Sequence, residues 1–327
     1  MTARQRFNAT LALGSPDRPP ILDEGIRDEV WEVWRAQGLP ADADLASMFP
    51  SDRRERLPID LEPRPALDRW PRTLREVADL RGRLDPDDPG RRPADWDALV
   101  QRWRSREHIL EMQVHRGLFL TMGVHGWKRF EEAVLLLRDD PALAHAILDV
   151  FGEFSARLLA RTLDEVDIDC AIFSEPIGGN DRPLIGPRDY ERFVLASYRP
   201  IVDVLRQRGV QTLILLTYAN ARPLVRPALE AGINTLWACE TNPEAMDYRA
   251  LRREYGRDLR LIGGIDLDTL RLGPGAIRAE IESVARPLLA DGGYIPLADG
   301  RVRPDIPFAH YAYYRRLLME VVGERCA

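Results

Sequence analysis

The chain has 327 residues, and 46 Lys+Arg against 52 Asp+Glu leave a net charge of −6. Hydrophobic residues are 45% and charged residues 30%, a balance that buries a core and excludes a disordered chain. The acidic surplus excludes a nucleic-acid binder working by phosphate neutralisation, and no apolar run reaches the roughly 18 residues of a membrane span. The opening MTARQRF lacks the apolar core of a signal peptide, so a cytoplasmic globular protein is expected, with neither nucleic-acid nor membrane partners. Cys170, Cys239 and Cys326 lie far apart without CxxC spacing, so no disulfide framework or zinc knuckle is written here. Lys128 is the sole lysine. Schiff-base chemistry would rest on it alone, and it sits on a polar helical stretch.

In the first half, the patterning predicts helices over 2–13, 28–37, 127–137 and 141–163, with strands at 20–23 and 118–122. Residues 42–97 are rich in Pro, Arg and Asp. Loops this long usually cover a site or move, so the stretch reads as an irregular excursion with one helix near 67–83, acting as a partial lid.

The second half is more regular. Short apolar runs at 169–174 (DCAIFS), 212–217 (TLILLT), 235–239 (TLWAC), 259–263 (LRLIG) and 293–297 (GYIPL) have the continuous apolar character of strands buried on both faces. Amphipathic segments at 189–208, 221–231, 243–255 and 275–290 separate them. Pro187, Pro243 and Pro274 stand at helix starts, and Gly209, Gly232 and Gly256 follow helix ends, as helix punctuation requires. Alternating strands and helices predict a parallel sheet, and five units in succession favour a single-domain α/β (β/α)8 TIM-type barrel over an open sheet.

A parallel barrel gathers its site at the carboxyl ends of the strands. Residues just past the predicted strands are Asp23 and Glu24, Glu175, Tyr218 and Asn220, Glu240, Asp266, and Asp299. Delivered to one rim, several carboxylates cannot all ionise cheaply, so some carry raised pKa values or pair with Arg222, Arg301 or a metal. The bland alternative is that each acid caps the next helix or holds a loop. His125, between a predicted strand and a helix, is placed as a general base. His108, His145 and His310 fall in helical stretches and read as packing or surface residues. Cys239 reads as a buried thiol, and Gly263-Gly264 lacks the spacing of a phosphate loop.

The run Gly263-Gly264-Ile265-Asp266, with Tyr255-Gly256 before it and Gly292-Gly293-Tyr294-Ile295-Pro296 and Arg303-Pro304-Asp305-Ile306-Pro307 after it, carries a family likeness. So do Pro183-Leu184-Ile185-Gly186-Pro187 and Ala231-Gly232-Ile233-Asn234. Together they resemble the uroporphyrinogen decarboxylase superfamily, in particular the branch it shares with cobalamin-linked methyltransferases. The resemblance implies a barrel whose mouth binds a small carboxylated or methylated molecule. The family's arginine-rich N-terminal motif corresponds here to Ile21-Leu22-Asp23-Glu24-Gly25, which is acidic and would repel a polycarboxylate such as uroporphyrinogen. The methyltransferases' zinc-ligating positions correspond to Thr217, Ala219 and Gly300 with its neighbour Asp299, which cannot supply a thiolate–imidazole site.

The expected activity is therefore decarboxylase-like general acid chemistry. Glu240 or Asp266 protonates the carbanion, Glu175 and His125 complete the catalytic set, and Asp23, Tyr218, Asn220, Arg222 and Asp299 orient the substrate. That chemistry needs no cofactor. The alternatives are methyl transfer, with Glu175, Glu240 and Asp299 holding a divalent metal and a corrinoid protein as partner, or a ligand-binding barrel that no longer catalyses. A homo-oligomer is compatible with each.

Overall fold

Seven parallel strands lie side by side in sequence order in the computed structural model, which describes residues 1–241 and 243–324. They are β1 (Arg54–Arg56), β2 (Ile109–His115), β3 (Cys170–Ser174), β4 (Leu213–Tyr218), β5 (Thr235–Cys239), β6 (Arg260–Ile265) and β7 (Tyr294–Ala298). An extended segment, 20–26, fills the eighth position between β7 and β1. Its Ile26 bridges Val302 in parallel, and the Ile21 carbonyl accepts from the Asp52 amide at 2.7 Å. The fold is thus the α/β TIM-type barrel that the alternation predicts. Cys326 lies outside the described residues, and no helix among the described ones is long and apolar enough to cross a membrane.

Two shells of apolar residues reflect the period of two along each strand. The inner shell joins Leu22, Ile109, Cys170, Ile172, Ile214, Trp237, Cys239, Ile262, Ile295 and Leu297. Helix Ala3–Leu11 closes the amino-terminal end of the barrel with Phe7 and Leu11; burying such side chains stabilises by about 1.5–3 kcal/mol each. The outer shell takes the alternate residues, among them Leu110, Ala171, Phe173, Leu215, Leu236 and Leu261, and packs them on the surrounding helices.

Three expectations in the first half change. The strand expected at 118–122 is a short helix, Leu118–Thr121, and the true strand is β2 just before it. Its sequence ILEMQVH places Glu111 and Gln113 on the inner face, so hydrophobic continuity could not reveal it. The segment at 20–23 is extended but forms no ladder. Residues 42–97 supply β1, whose sequence RER carries no apolar signal. Within that stretch the helix covers only Val77–Arg83. Val77, Leu80 and Leu84 pack on Ile147, Phe151 and Phe154 of helix Pro141–Leu163, which anchors this part of the excursion on the helical layer outside the barrel.

Candidate active site at the barrel mouth

Strand parity decides which side chains reach the mouth. Leu22 points inward, so Asp23 turns outward and Glu24 inward. On β1, Arg54 and Arg56 pair in register with the inward Ile109 and with Glu111, and all four share the inner face. On β4, Ile214 and Leu216 set the inner face and Tyr218 follows them. Cys239 ends β5 inside the barrel. Glu240 then adopts φ +45°, a left-handed turn that bends the chain at the rim and costs a non-glycine residue about 1–2 kcal/mol.

A cavity of about 400 Å³ opens at this end, lined by Glu24, Arg27, Tyr218, Cys239, Glu240 and Arg301 among others. Arg27 bonds Glu240 Oε1 at 2.8 Å across the opening. Beneath it, Arg54 donates to the Asp23 carbonyl at 2.9 Å and to Glu24 Oε1 at 3.4 Å, and its guanidinium lies 4.6 Å over the Trp237 ring. Arg56 donates to Glu111 Oε1 from two nitrogens, at 3.1 and 3.0 Å. Burial pushes the Glu24 carboxyl above its usual range; Arg54 opposes the shift, and the carboxylates of Glu111 and Asp23 add to it. Burial also raises the Tyr218 hydroxyl and, strongly, the Cys239 thiol. Both therefore stand as neutral donors. The mouth is a mixed-charge chamber: Arg301 stands at it as the pairing of acids with Arg222, Arg301 or a metal anticipated, and Arg27, Arg54 and Arg56 add cations to the acid-rich rim that was expected.

The remaining candidates lie elsewhere. Asp23 faces the C-terminal helix Phe308–Glu324, accepting from Tyr311 Oη at 2.6 Å and from Arg315. Glu175 follows β3 with outward parity. It is fully buried behind the barrel wall, accepting from the Leu118 amide at 3.0 Å and from Tyr198 Oη at 2.6 Å. With no cation against it among the described residues, burial pushes its carboxyl up to about 7. Asp266 caps the turn Leu267–Leu272, bonding the Asp268 amide at 2.9 Å. Asp299 is buried and staples two loops, accepting from the Thr241 amide at 2.8 Å and the Leu267 amide at 3.0 Å.

Asn220 donates to the Asp181 carbonyl at 2.8 Å, and Arg222 pairs with Glu254 at 2.7 Å. His125 is exposed, ten residues beyond the end of β2. Of the residues singled out in the sequence, Glu24, Tyr218, Glu240 and Arg301 line the cavity, and Asp23, His125, Glu175, Asn220, Arg222, Asp266 and Asp299 do not. Glu175, Glu240 and Asp299 therefore do not form the oxygen set that a divalent ion would need. Among the described residues no three His, Cys, Asp or Glu side chains stand close enough to hold a metal.

The functional candidates that sequence reasoning missed are Arg27, Arg54, Arg56 and Glu111. The signal that could have found them is period-two placement of charge in RER and ILEMQVH, read as one wall of a polar interior. Comparison with known proteins supports the fold and the family. A family model described as Uroporphyrinogen decarboxylase (URO-D) matches residues 119–317. A uroporphyrinogen decarboxylase of Pseudomonas aeruginosa is 27% identical over 205 residues, covering 60% of this chain and 54% of that protein. One of Gloeobacter violaceus is 26% identical over 168 residues, covering 51% and 46%. The chain spans about half the length of the curated relatives it matches. The matched region begins at Phe119, so Glu24, Arg27, Arg54, Arg56 and Glu111 all lie upstream of it.

Proposed function

This chain belongs to the uroporphyrinogen decarboxylase family, and from that premise we propose a decarboxylase-like lyase acting on a small carboxylated molecule at the barrel mouth. The observation that carries the reading is Glu24. It is a carboxyl whose proton affinity is raised by burial, on the inner face beside Arg54, in a chamber with Arg27 and Arg301. The arginines offer charge-assisted hydrogen bonds to a substrate carboxylate, and Arg56 stands next in the wall. As the carbon–carboxylate bond breaks, the electron pair stays on carbon and carbon dioxide leaves. The Glu24 proton then passes to that carbon, and solvent restores it. Tyr218 and Cys239, both neutral, line the opposite wall, where they donate to developing charge. A cavity of about 400 Å³ is near the small end of ligand pockets, about 300–1,000 Å³. It suits a compact acid better than a tetrapyrrole bearing many carboxylates.

The reading is tested by measuring carbon dioxide release from uroporphyrinogen and from a panel of compact carboxylic acids. Glu24→Gln should lower kcat on the responsive acid by about 10²–10⁴-fold, the range for general acids. Arg56→Met should raise KM by about ten- to a hundredfold, the worth of a charged hydrogen bond. Because the proton-bearing form acts, activity should fall on the alkaline side of a pH profile, and Glu24→Gln should erase that limb. Turnover that survives Glu24→Gln unchanged would reject the assignment, and binding of acids with no turnover by any of them would favour a barrel that only binds.

A further inference from the structure

Resting on that reading of the mouth, we infer that Glu240 is its specificity residue and that the acid it selects also carries a cationic nitrogen. The Glu240 carboxylate sits on Arg27, where a substrate carboxylate belongs. When a substrate takes that place, Glu240 is released to meet the ammonium of a zwitterion.

Both partners of the Arg27–Glu240 pair are rooted in the backbone and loose at the tip. The Arg27 amide donates to the Val302 carbonyl at 3.0 Å, and the Arg301 side chain donates to the neighbouring Ile26 carbonyl at 2.7 Å. The Glu240 amide donates to the Asp299 carbonyl, and the Asp299 carboxylate accepts from the next amide, that of Thr241, at 2.8 Å. Gly300 leaves room for the Glu240 side chain, since a Cβ there would lie 3.3 Å from Glu240 Cγ. The charged tips meet through one hydrogen bond of 2.8 Å, from Arg27 Nη2 to Glu240 Oε1. At the same time 37% of the Arg27 side chain and 48% of the Glu240 side chain stay exposed. Ion pairs this exposed contribute little, so a ligand parts the tips easily while the roots stay in place.

The charges around the cavity decide which ligand gains most. Its lining carries four carboxyls, Glu24, Asp28, Glu29 and Glu240, and two guanidiniums, Arg27 and Arg301. With Glu24 bearing its proton, three negative charges face two positive ones. A plain carboxylate breaks one ion pair to make one, adds negative charge and leaves Glu240 without its cation. A dicarboxylate adds still more. A zwitterion breaks one pair, makes two and leaves the net charge unchanged. Tyr218 gives a second reason. Its hydroxyl senses both Glu24 and Glu240, and the residue is 37% exposed on the cavity wall. An ammonium drawn to Glu240 therefore arrives beside an aromatic ring, whose face attracts cations.

The test is calorimetric titration of the full chain, at pH 7 and low ionic strength, with trios of ligands that share a spacer. These are propionate, glycine and malonate; butyrate, β-alanine and succinate; and pentanoate, γ-aminobutyrate and glutarate. In at least one trio the amino acid should bind about three- to tenfold more tightly than its monoacid, and the diacid more weakly than both. Glu240→Gln keeps the size of the side chain and removes its charge. It should erase the amino acid's advantage, tighten the monoacid about two- to fivefold and tighten the diacid at least as much. A residue that only held the loop would weaken every ligand when replaced. Thermal melts of the variants check that the barrel is intact.

A monoacid that matches or beats its amino acid in every trio overturns the inference. So does a Glu240→Gln variant that keeps the wild-type ranking or weakens the monoacids, and so does a failure of all these compounds to bind. Arg27→Met separates the two levels. If monoacid, amino acid and diacid bind alike and Arg27→Met weakens them all, the carboxylate mouth stands and the charge reader falls. If they bind and Arg27→Met changes nothing, the mouth reading falls with it.

Discussion

Replacing Glu175 by Gln should change how stability depends on pH, and the size of the change follows from the geometry behind β3. The Glu175 carboxyl is fully buried, held by the Leu118 amide and the Tyr198 hydroxyl. The titratable groups facing it are Tyr198, Tyr190 and His115, which packs edge-on against Tyr198 at 4.6 Å. Burial raises Glu175 from 4.5 to about 7. A raised carboxyl binds its proton more tightly in the folded chain, so its contribution is full below pH 4.5. Stability is then lost at about 1.4 kcal/mol per pH unit until pH passes 7. The total loss is roughly 3 kcal/mol.

His115 works in the opposite direction. Burial lowers it from 6.5 to about 3, so the unfolded chain takes up a proton below pH 6.5 that the folded chain refuses, and stability rises with pH across that window. Between pH 5 and 6.5 the two slopes nearly cancel. The wild-type protein should lack a slope from this pair there and lose stability as pH rises towards 7. Glu175→Gln keeps the size of the side chain and one acceptor oxygen but removes the titrating group and leaves His115 unopposed, so the variant should gain stability steadily up to pH 6.5. Urea unfolding followed by tryptophan fluorescence at pH 5, 6, 7 and 8 reads the difference. Relative to wild type, the variant should improve by roughly 3 kcal/mol from acid to alkaline pH. Parallel pH profiles for the two proteins would show that Glu175 is ionised in the fold and that the reasoning is wrong.

Two further substitutions test the framework around the site. Gly117 has φ +87°, and a Cβ there would lie 2.5 Å from the Ser174 carbonyl oxygen. Gly117→Ala should therefore cost about 2 kcal/mol or more, and a melting temperature equal to wild type would contradict the close approach of β3 to this loop. Arg315 is buried and reaches Asp23, Tyr311, Ser51 and the carbonyls of Phe49 and Pro50. Arg315→Met leaves Asp23 without its cation and should cost about 3–5 kcal/mol in urea unfolding, whereas a loss under about 1 kcal/mol would mean the tie is solvated.

The second half of the barrel was legible because its walls are ordinary. The five apolar runs between 169 and 297 match β3 to β7 to within about two residues, since strands buried on both faces advertise themselves by continuous apolar character. The first half hid its strands because its inner face is charged. In β1 the two inward residues are arginines, and in β2 Glu111 and Gln113 interrupt the pattern. Hydropathy has no means of distinguishing such a strand from a solvated loop, and a Pro/Arg-rich stretch containing RER was read as an excursion for that reason.

The site itself was misread by one residue at a time, and the cause is geometric. Collecting every acid one or two positions past a strand treats the strand end as a point, whereas the pleat sends successive side chains to opposite faces. Asp23 and Glu24 show the consequence most directly. The first ties the barrel to Arg315 and Tyr311, and the second sits against Arg54 inside. Glu175, one residue past the Ser174 end of β3, falls on the wrong side of the same rule and becomes a buried staple. Glu240 is the exception because its φ of +45° breaks the pleat and returns it to the rim, where it meets Arg27. Counting parity back from the inward residues Leu22, Ile109, Ile214 and Cys239 would have selected Glu24, Glu111 and Tyr218. With Cys170 and Ile172 inward on β3, the same rule places Asp23 and Glu175 on the outer face. A charged residue with inward parity in a parallel barrel must then be explained by its partners, because burying an unpaired charge costs several kcal/mol. Here Glu111 stands 3.0 Å from Arg56 and 3.7 Å from Arg54, and Arg54 also meets the Asp23 carbonyl and Glu24, so both arginines are held on the wall of the chamber where substrate is proposed to bind.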